Sequence, residues 1–338
     1  MPAALVTGAT GQVGRHVVER LRRDGWTVRA LVRDLEAAAS LRELEVELAL
    51  GDVLDAASFR TAATGRDVIF HAAAAVTPSG GWEAFRRPNV EGTRNAVAAA
   101  VSAAARLVHV SSVAVYGGTS RYRDGLLTDE TAPLSPLREG DFYARSKRES
   151  EEIVMQACRR GDLWATAVRP DVIYGRHDRQ FVPRLARFLR RGFAPLIGDG
   201  TTTLAIVHVE NVVEGMVRAA TSDVARGRVY NLANDFDVTA ADFFRLAAQG
   251  LEVRLRVIRI PLGLAKRGER LIRAIAKVIP GSRVQAVSFS AVDFLGRSNP
   301  FSSERAREEL GWDPQIRPEY GIPDAFAWTA AQRSIQGP

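Results

Sequence analysis

Eight residues, Thr7-Gly8-Ala9-Thr10-Gly11-Gln12-Val13-Gly14, stand between an apolar run over 3–7 and a stretch over 12–24 in which Val13, Val17 and Leu21 share a helical face. A strand that turns at once into a helix leaves little room at the bend. Gly8 permits the tight turn, Gly11 lets backbone approach a pyrophosphate, and Gly14 lets the helix pack closely on a sheet. The helix offers such an anion its free N–H groups and the positive end of its dipole. Thr7, Thr10, Gln12 and Val13 complete the candidate dinucleotide-binding turn. A lone glycine triplet is weak, and its place at the first strand and first helix gives it weight.

An alternation follows. Further strands are expected over 27–32, 46–50, 67–71, 107–111, 164–169 and 228–232, with helices between most of them, including 82–105 and 142–159. Apolar strands alternating with helices imply an α/β fold, a doubly wound parallel sheet covered on both faces. After about residue 240 the alternation stops. Pro261, Pro280, Pro300, Pro314 and Pro323 punctuate a tail that reads as a smaller, mainly helical lobe over the carboxyl ends of the strands. With 338 residues, a large domain plus a lobe is the natural division. The dinucleotide-binding domain is placed at 1–175, completed by about 203–240, and the substrate lobe at 176–202 and 241–338.

The net charge of +7 admits an anionic partner. Because the cations are spread over many segments, a solvated basic surface is expected and no nucleic-acid partner. Cys158 is the only cysteine, so no intrachain disulfide or cysteine metal cluster can form, and no metal site is expected. No apolar stretch reaches the roughly 18 residues that span a bilayer, and Met1 leads into the first strand without a charged leader. A cytoplasmic protein is expected.

The second strand ends in Leu31-Val32-Arg33-Asp34, with Val32 where an NAD site usually carries an acid and Arg33 placed to meet a 2′-phosphate. NADP(H) is therefore preferred. Were Arg29 and Arg33 solvated and Asp34 a displaced ribose ligand, NAD(H) would serve instead. Asp52 and Val53, after Gly51, are placed at the adenine. His71-Ala72-Ala73-Ala74 forms a small-residue loop under the cofactor, with His71 packing that loop and not a catalyst.

Tyr143 and Lys147 are spaced i, i+4, so both side chains lie on one helix face. A neighbouring ammonium favours the phenolate and brings an otherwise weak base toward the working range, and Lys147 can also hold the nicotinamide ribose. The spacing alone is common. It gains meaning from Ser111 and Ser112 at the carboxyl end of the fifth strand, where open α/β sheets bind ligands. Ser112 can donate a hydrogen bond to an oxygen that gains charge. Pro170 and Val172, after the sixth strand, are placed to orient the nicotinamide amide.

The glycine motif, Asn89-Val90-Glu91-Gly92-Thr93, Ser112, Tyr143 with Lys147, Arg169-Pro170, Val207-His208-Val209 and Glu309-Leu310-Gly311-Trp312-Asp313-Pro314 occur in one order. Together they resemble the extended short-chain dehydrogenase/reductases, the NAD-dependent epimerase/dehydratase family. The resemblance implies a Rossmann domain, a Ser-Tyr-Lys site, a substrate lobe, and a homodimer paired through the segments 82–105 and 142–159. Val113 and Ala114 stand where dehydratases of that family carry an Asp-Glu pair, so elimination of water is disfavoured. Apolar residues at Val172 and Leu204 weaken a sugar-nucleotide substrate. The chain is most similar to the 3β-hydroxysteroid dehydrogenase and dihydroflavonol reductase-like branch, which implies a ketone or secondary alcohol on a hydrophobic small molecule of steroid, terpenoid, flavonoid or 3-oxoacyl type. An insert over 261–294 mixes Leu262, Leu264, Leu271 and Ile272 with Lys266, Arg267 and Arg270. It reads as a packed helix first, and as a lid or a membrane-touching helix second. A sugar-nucleotide epimerase with retained NAD and a dinucleotide-sensing regulator are the rivals.

Overall fold

A computed structural model describes residues 1–77, 79–117, 127–268 and 291–336. Its centre is a seven-stranded parallel sheet. In chain order the eleven strands are β1 (Ala3–Thr7), β2 (Thr27–Val32), β3 (Glu47–Leu50), β4 (Val68–His71), β5 (Arg106–Val110), β6 (Ala165–Pro170), β7 (Val172–Tyr174), β8 (Phe193–Ile197), β9 (Ile206–His208), β10 (Val229–Leu232) and β11 (Arg256–Ile260). The large sheet runs β10-β6-β5-β4-β1-β2-β3, every pairing parallel. Strand order reverses between β1 and β4, and such a switch point opens a ligand crevice at the strands' carboxyl ends.

Alternation along β1 shows how the sheet is buried twice. Ala4 and Val6 join Val17 of α1 (Gln12–Arg23) in one fully buried cluster. Leu5 points the other way, into a cluster with Phe59 of α2 (Ala56–Ala63). Each such side chain contributes roughly 1.5–3 kcal/mol relative to exposure.

The segment 82–105 is not one helix. It divides into α3 (Gly81–Phe85), a π-helical turn over Arg86–Glu91, and α4 (Gly92–Ala103). Pro88 lacks an N–H for the α-helical ladder, and π-turns of this kind often mark functional sites. The segment 142–159 forms one helix as expected, α5 (Phe142–Arg159).

Alternation also does not stop at residue 240. The lobe carries a parallel pair, β8 with β11, and β7 pairs with β9 beneath it. Arg256, Arg259 and the proline in β8 hid the strand signal. The lobe has its own core, built from α6 (Phe181–Leu189), α7 (Ala240–Leu251) and the helix Pro318–Gln336, with Phe243, Phe244 and Phe326 inside it. Close helix approach depends on Gly250, where a Cβ would fall 2.2 Å from the Pro323 carbonyl oxygen. Most of the insert, including Leu271, Ile272, Arg270 and Pro280, lies outside the described residues. Among the described residues no helix is long and apolar enough to cross a membrane, and no cluster of His, Cys, Asp or Glu could hold a metal ion.

Candidate active site

The glycine turn has the geometry its spacing predicts. Gly8 sits at φ +69°, and a Cβ there would meet Ala73 N at 2.8 Å. Gly11 N–H donates to Gly8 O at 2.9 Å. Gly11 caps α1 with no side chain bonded to the helix's first N–H groups, and a Cβ on it would meet only Gly8 O, at 3.2 Å. That open space under unpaired donors fits a pyrophosphate. Gly14 fills the opposite need, since its Cβ would lie 2.2 Å from Gly8 O and 2.6 Å from Gly8 C. Gly14→Ala is accordingly expected to cost about 3 kcal/mol, the upper end for overpacking, seen as a lower urea midpoint with reduced dinucleotide affinity.

Around this turn the expected contacts divide. Thr10, Gln12 and Val13 are half-buried at the mouth of the crevice, and Gln12 Nε2 reaches Gly175 O at 3.4 Å. Thr7 and His71 instead face inward. Thr7 Oγ1 accepts from Ala73 N–H at 3.2 Å and bonds His71 Nδ1 at 2.8 Å, while His71 Nε2 meets Thr93 Oγ1 at 3.2 Å. Because Thr93 Oγ1 itself donates to Asn89 O, His71 carries its proton on Nε2. Burial, aided by the Lys147 charge, pushes its pKa down to about 3. Thr7 and His71 thus prop the Ala72, Ala73 and Ala74 loop from beneath, the packing role expected of His71.

Arg33 is exposed, and its side chain makes no hydrogen bond or ion pair among the described residues. Asp34 is occupied with its own turn, its Oδ1 accepting from Glu36 and Ala37 N–H. Arg29 is tied to Glu47 at 2.9 Å and to Ala62 O, away from any ligand. Asp52 lies half-buried past β3 and accepts from Leu54 N–H at 2.9 Å. Val53 packs against Gly92, where a Cβ would approach it to 3.0 Å.

Ser112 and Lys147 meet at the carboxyl end of β5, and Tyr143 lies one turn before Lys147 on α5. Lys147 Nζ, buried, donates to Val110 O at 2.8 Å, two residues before Ser112. Burial pulls its pKa down to about 8, with Glu151 opposing that shift. Ser112 caps a 3₁₀ turn over Val113–Tyr116, its Oγ accepting from Ala114 N–H at 3.1 Å, so its own proton remains to donate outward. Ser111 Oγ is buried and has no hydrogen-bond partner, a polar atom left for a ligand at that strand end. Tyr143 sits one turn before Lys147 on the same face, with Phe85 against its ring at 6.4 Å and Phe142 next to Phe85 at 6.3 Å. Pro170 is buried at the end of β6, and Val172 packs on the lobe core together with fully buried Leu204.

Three groups hold this arrangement, of which Arg148 and Glu151 stand outside every motif read from the sequence. Asn89 grips both polar atoms of Ala75 at 2.7 and 2.9 Å and donates to Ser146 Oγ at 2.9 Å, tying the π-turn to α5. Arg148 donates to Val115 O and Ser135 O, clamping the Ser112 turn. Glu151, one turn past Lys147, forms a buried bidentate pair with Arg169 at 2.9 and 2.5 Å, and Arg169 donates onward to the Tyr116 hydroxyl at 2.8 Å. Asn89 at least had a signal in its Asn-Val-Glu-Gly-Thr setting. The ion pair had none, because its halves lie 18 residues apart on different elements.

Comparison with known proteins identifies the family. The profile described as "NAD dependent epimerase/dehydratase family" matches residues 4–233. A 4-hydroxy-2-methyl-3-oxo-4-farnesyl-3,4-dihydroquinoline-1-oxide ketoreductase of Stigmatella aurantiaca is 34% identical over 322 residues, covering 94% of this chain and 93% of the relative. A 3beta-hydroxysteroid-dehydrogenase/decarboxylase, isoform 2, of Arabidopsis thaliana is 30% identical over 99% of this chain, which spans 64% of that longer protein. Among solved structures, that of gox2253 superposes with a TM-score of 0.79 at 28% identity, covering 98% of this chain and 99% of the other.

Proposed function

The chain belongs to the NAD-dependent epimerase/dehydratase family, and within it we propose a reductase that uses NADP(H) to interconvert a ketone and a secondary alcohol on a hydrophobic small molecule. At the coarser level it is an NAD(P)-dependent oxidoreductase. The finer reading is supported by Lys147 reaching the end of β5 next to Ser112, with Tyr143 one turn earlier on the same helix, and by the open glycine turn after β1.

When bound, the dinucleotide supplies or takes up a hydride. The chain's own residues handle the oxygen and its proton. In the direction of reduction, Ser112 donates a hydrogen bond to the carbonyl oxygen and Tyr143 donates its phenolic proton to that oxygen as charge develops. Lys147, charged below about pH 8, stabilises the phenolate left on Tyr143 and holds the ribose hydroxyls. In oxidation the phenolate takes the alcohol proton back.

A hydrophobic substrate is supported by the Phe85 and Phe142 rings beside Tyr143 and by apolar Val172 and Leu204. The farnesyl and hydroxysteroid groups in the names of two relatives point the same way. Steroid, terpenoid, flavonoid and 3-oxoacyl ketones are the candidates. A homodimer paired through α4 and α5 belongs to this proposal.

The NADP(H) preference rests on Arg33. Arg33→Asp is expected to lower kcat/KM with NADPH by roughly 10- to 100-fold, since hydrogen bonds to a charged group are each worth about 1.5–3 kcal/mol, while NADH turnover holds or rises. Equal losses with both dinucleotides would remove Arg33 from the 2′-phosphate site.

A further inference from the structure

The small sheet of the substrate lobe ends in an open edge. Among the described residues β11 bonds only to β8, and four of its five residues are exposed. Ile258, 45% exposed, lies on the sheet face that carries Phe193 and Arg256, while Val257, 50% exposed, points to the opposite face. Close by, Phe193 of β8, Phe188 of α6 and Leu264 are also exposed. Edge strands are ordinarily protected from solvent-borne partners, and a cluster of exposed apolar side chains marks a surface that something covers.

Charge identifies that partner. From residue 179 to 198 there are five arginines and no acid, and from 253 to 268 four arginines, one lysine and no acid. Backbone hydrogen bonds place the two segments together, Arg256 N–H donating to Gly192 O at 2.8 Å and Gly198 N–H to Ile260 O at 2.9 Å. With a chain total of +7, the remainder is net acidic, so the basic character spread along the sequence is gathered on one lobe. None of these ten side chains makes a hydrogen bond or ion pair among the described residues. By contrast Arg145, Arg159 and Arg160, as exposed as they are, are each paired with an acid.

We propose that this lobe docks on an anionic phospholipid bilayer through the β8–β11 face. Ile258, Phe193 and Leu264 enter the headgroup layer, and Arg190, Arg191, Arg254 and Arg256 hold lipid phosphates. Nucleic acid would use the same cations but not the exposed aliphatic side chains. The proposal goes beyond the reaction above and stands whichever ketone is the substrate.

Co-sedimentation of the full chain with vesicles tests it, using phosphatidylcholine alone or mixed with phosphatidylglycerol. Binding to the mixed vesicles is expected, lost as salt is raised, with little binding to phosphatidylcholine alone. Arg190→Glu with Arg191→Glu is expected to lower partitioning at least about tenfold, at roughly 1 kcal/mol per charge near the surface. Phe193→Asp with Ile258→Asp is expected to do the same. Dinucleotide binding and circular dichroism report whether each variant is folded, and the lipid and salt dependence of the unaltered chain needs no variant. Equal binding to both vesicles, no binding, or folded variants that bind like the parent would overturn the proposal. So would a self-associated species in sedimentation velocity that the variants abolish, which would assign the face to a second copy of the chain.

Discussion

Tyr143→Phe is expected to lower kcat by about 10²- to 10⁴-fold, the usual contribution of a placed general acid or base, while dinucleotide binding and thermal stability stay near those of the parent. The substitution removes one hydroxyl from a half-buried ring and leaves its contact with Phe85 intact. Binding should survive because the glycine turn, Lys147 and Arg33 are unaltered. Steady-state rates in both directions, with fluorescence titration of the dinucleotide, separate the two effects. Retained turnover in a folded, dinucleotide-binding variant would show that another group moves the proton.

The second large effect is expected at Glu151, a positioning residue. Glu151→Gln leaves the Arg169 guanidinium buried without its anion, and breaking such a pair by removing one partner typically costs about 3–5 kcal/mol. The same carboxylate raises the Lys147 pKa against the lowering by burial. Without it the pKa falls below about 8, and Lys147 loses its charge at lower pH. The high-pH fall of kcat should therefore move to lower pH. Glu151→Asp, which keeps the charge, should restore part of both losses. A variant that loses stability with an unmoved pH profile would confine Glu151 to a structural role.

How legible the molecule is from its sequence depends on distance along the chain. The strands β1 and β2 and the helix α5 end where their patterns end, because apolar period and glycine spacing are local signals. The Tyr143–Lys147 face was readable for the same reason. Convergence of that face with Ser112 needed the resemblance to a family, since it is made by β5 meeting α5. Glu151–Arg169 and Asn89–Ser146 were invisible, being contacts between elements. His71 packs its loop as its strand-end setting suggests, the ring turned inward to Thr7 and Thr93. β11 escaped because Arg256 and Arg259 break its apolar run, and its place in the sheet appears only once it pairs with β8.

The account stands or falls on net redox turnover. The purified chain, given NADPH and a panel of steroid, terpenoid, flavonoid and 3-oxoacyl ketones, should lose nicotinamide absorbance in step with formation of one alcohol, faster than with NADH. Isomerised product with no net absorbance change would make it an epimerase, and tight dinucleotide binding without turnover of any ketone or alcohol would make it a sensor.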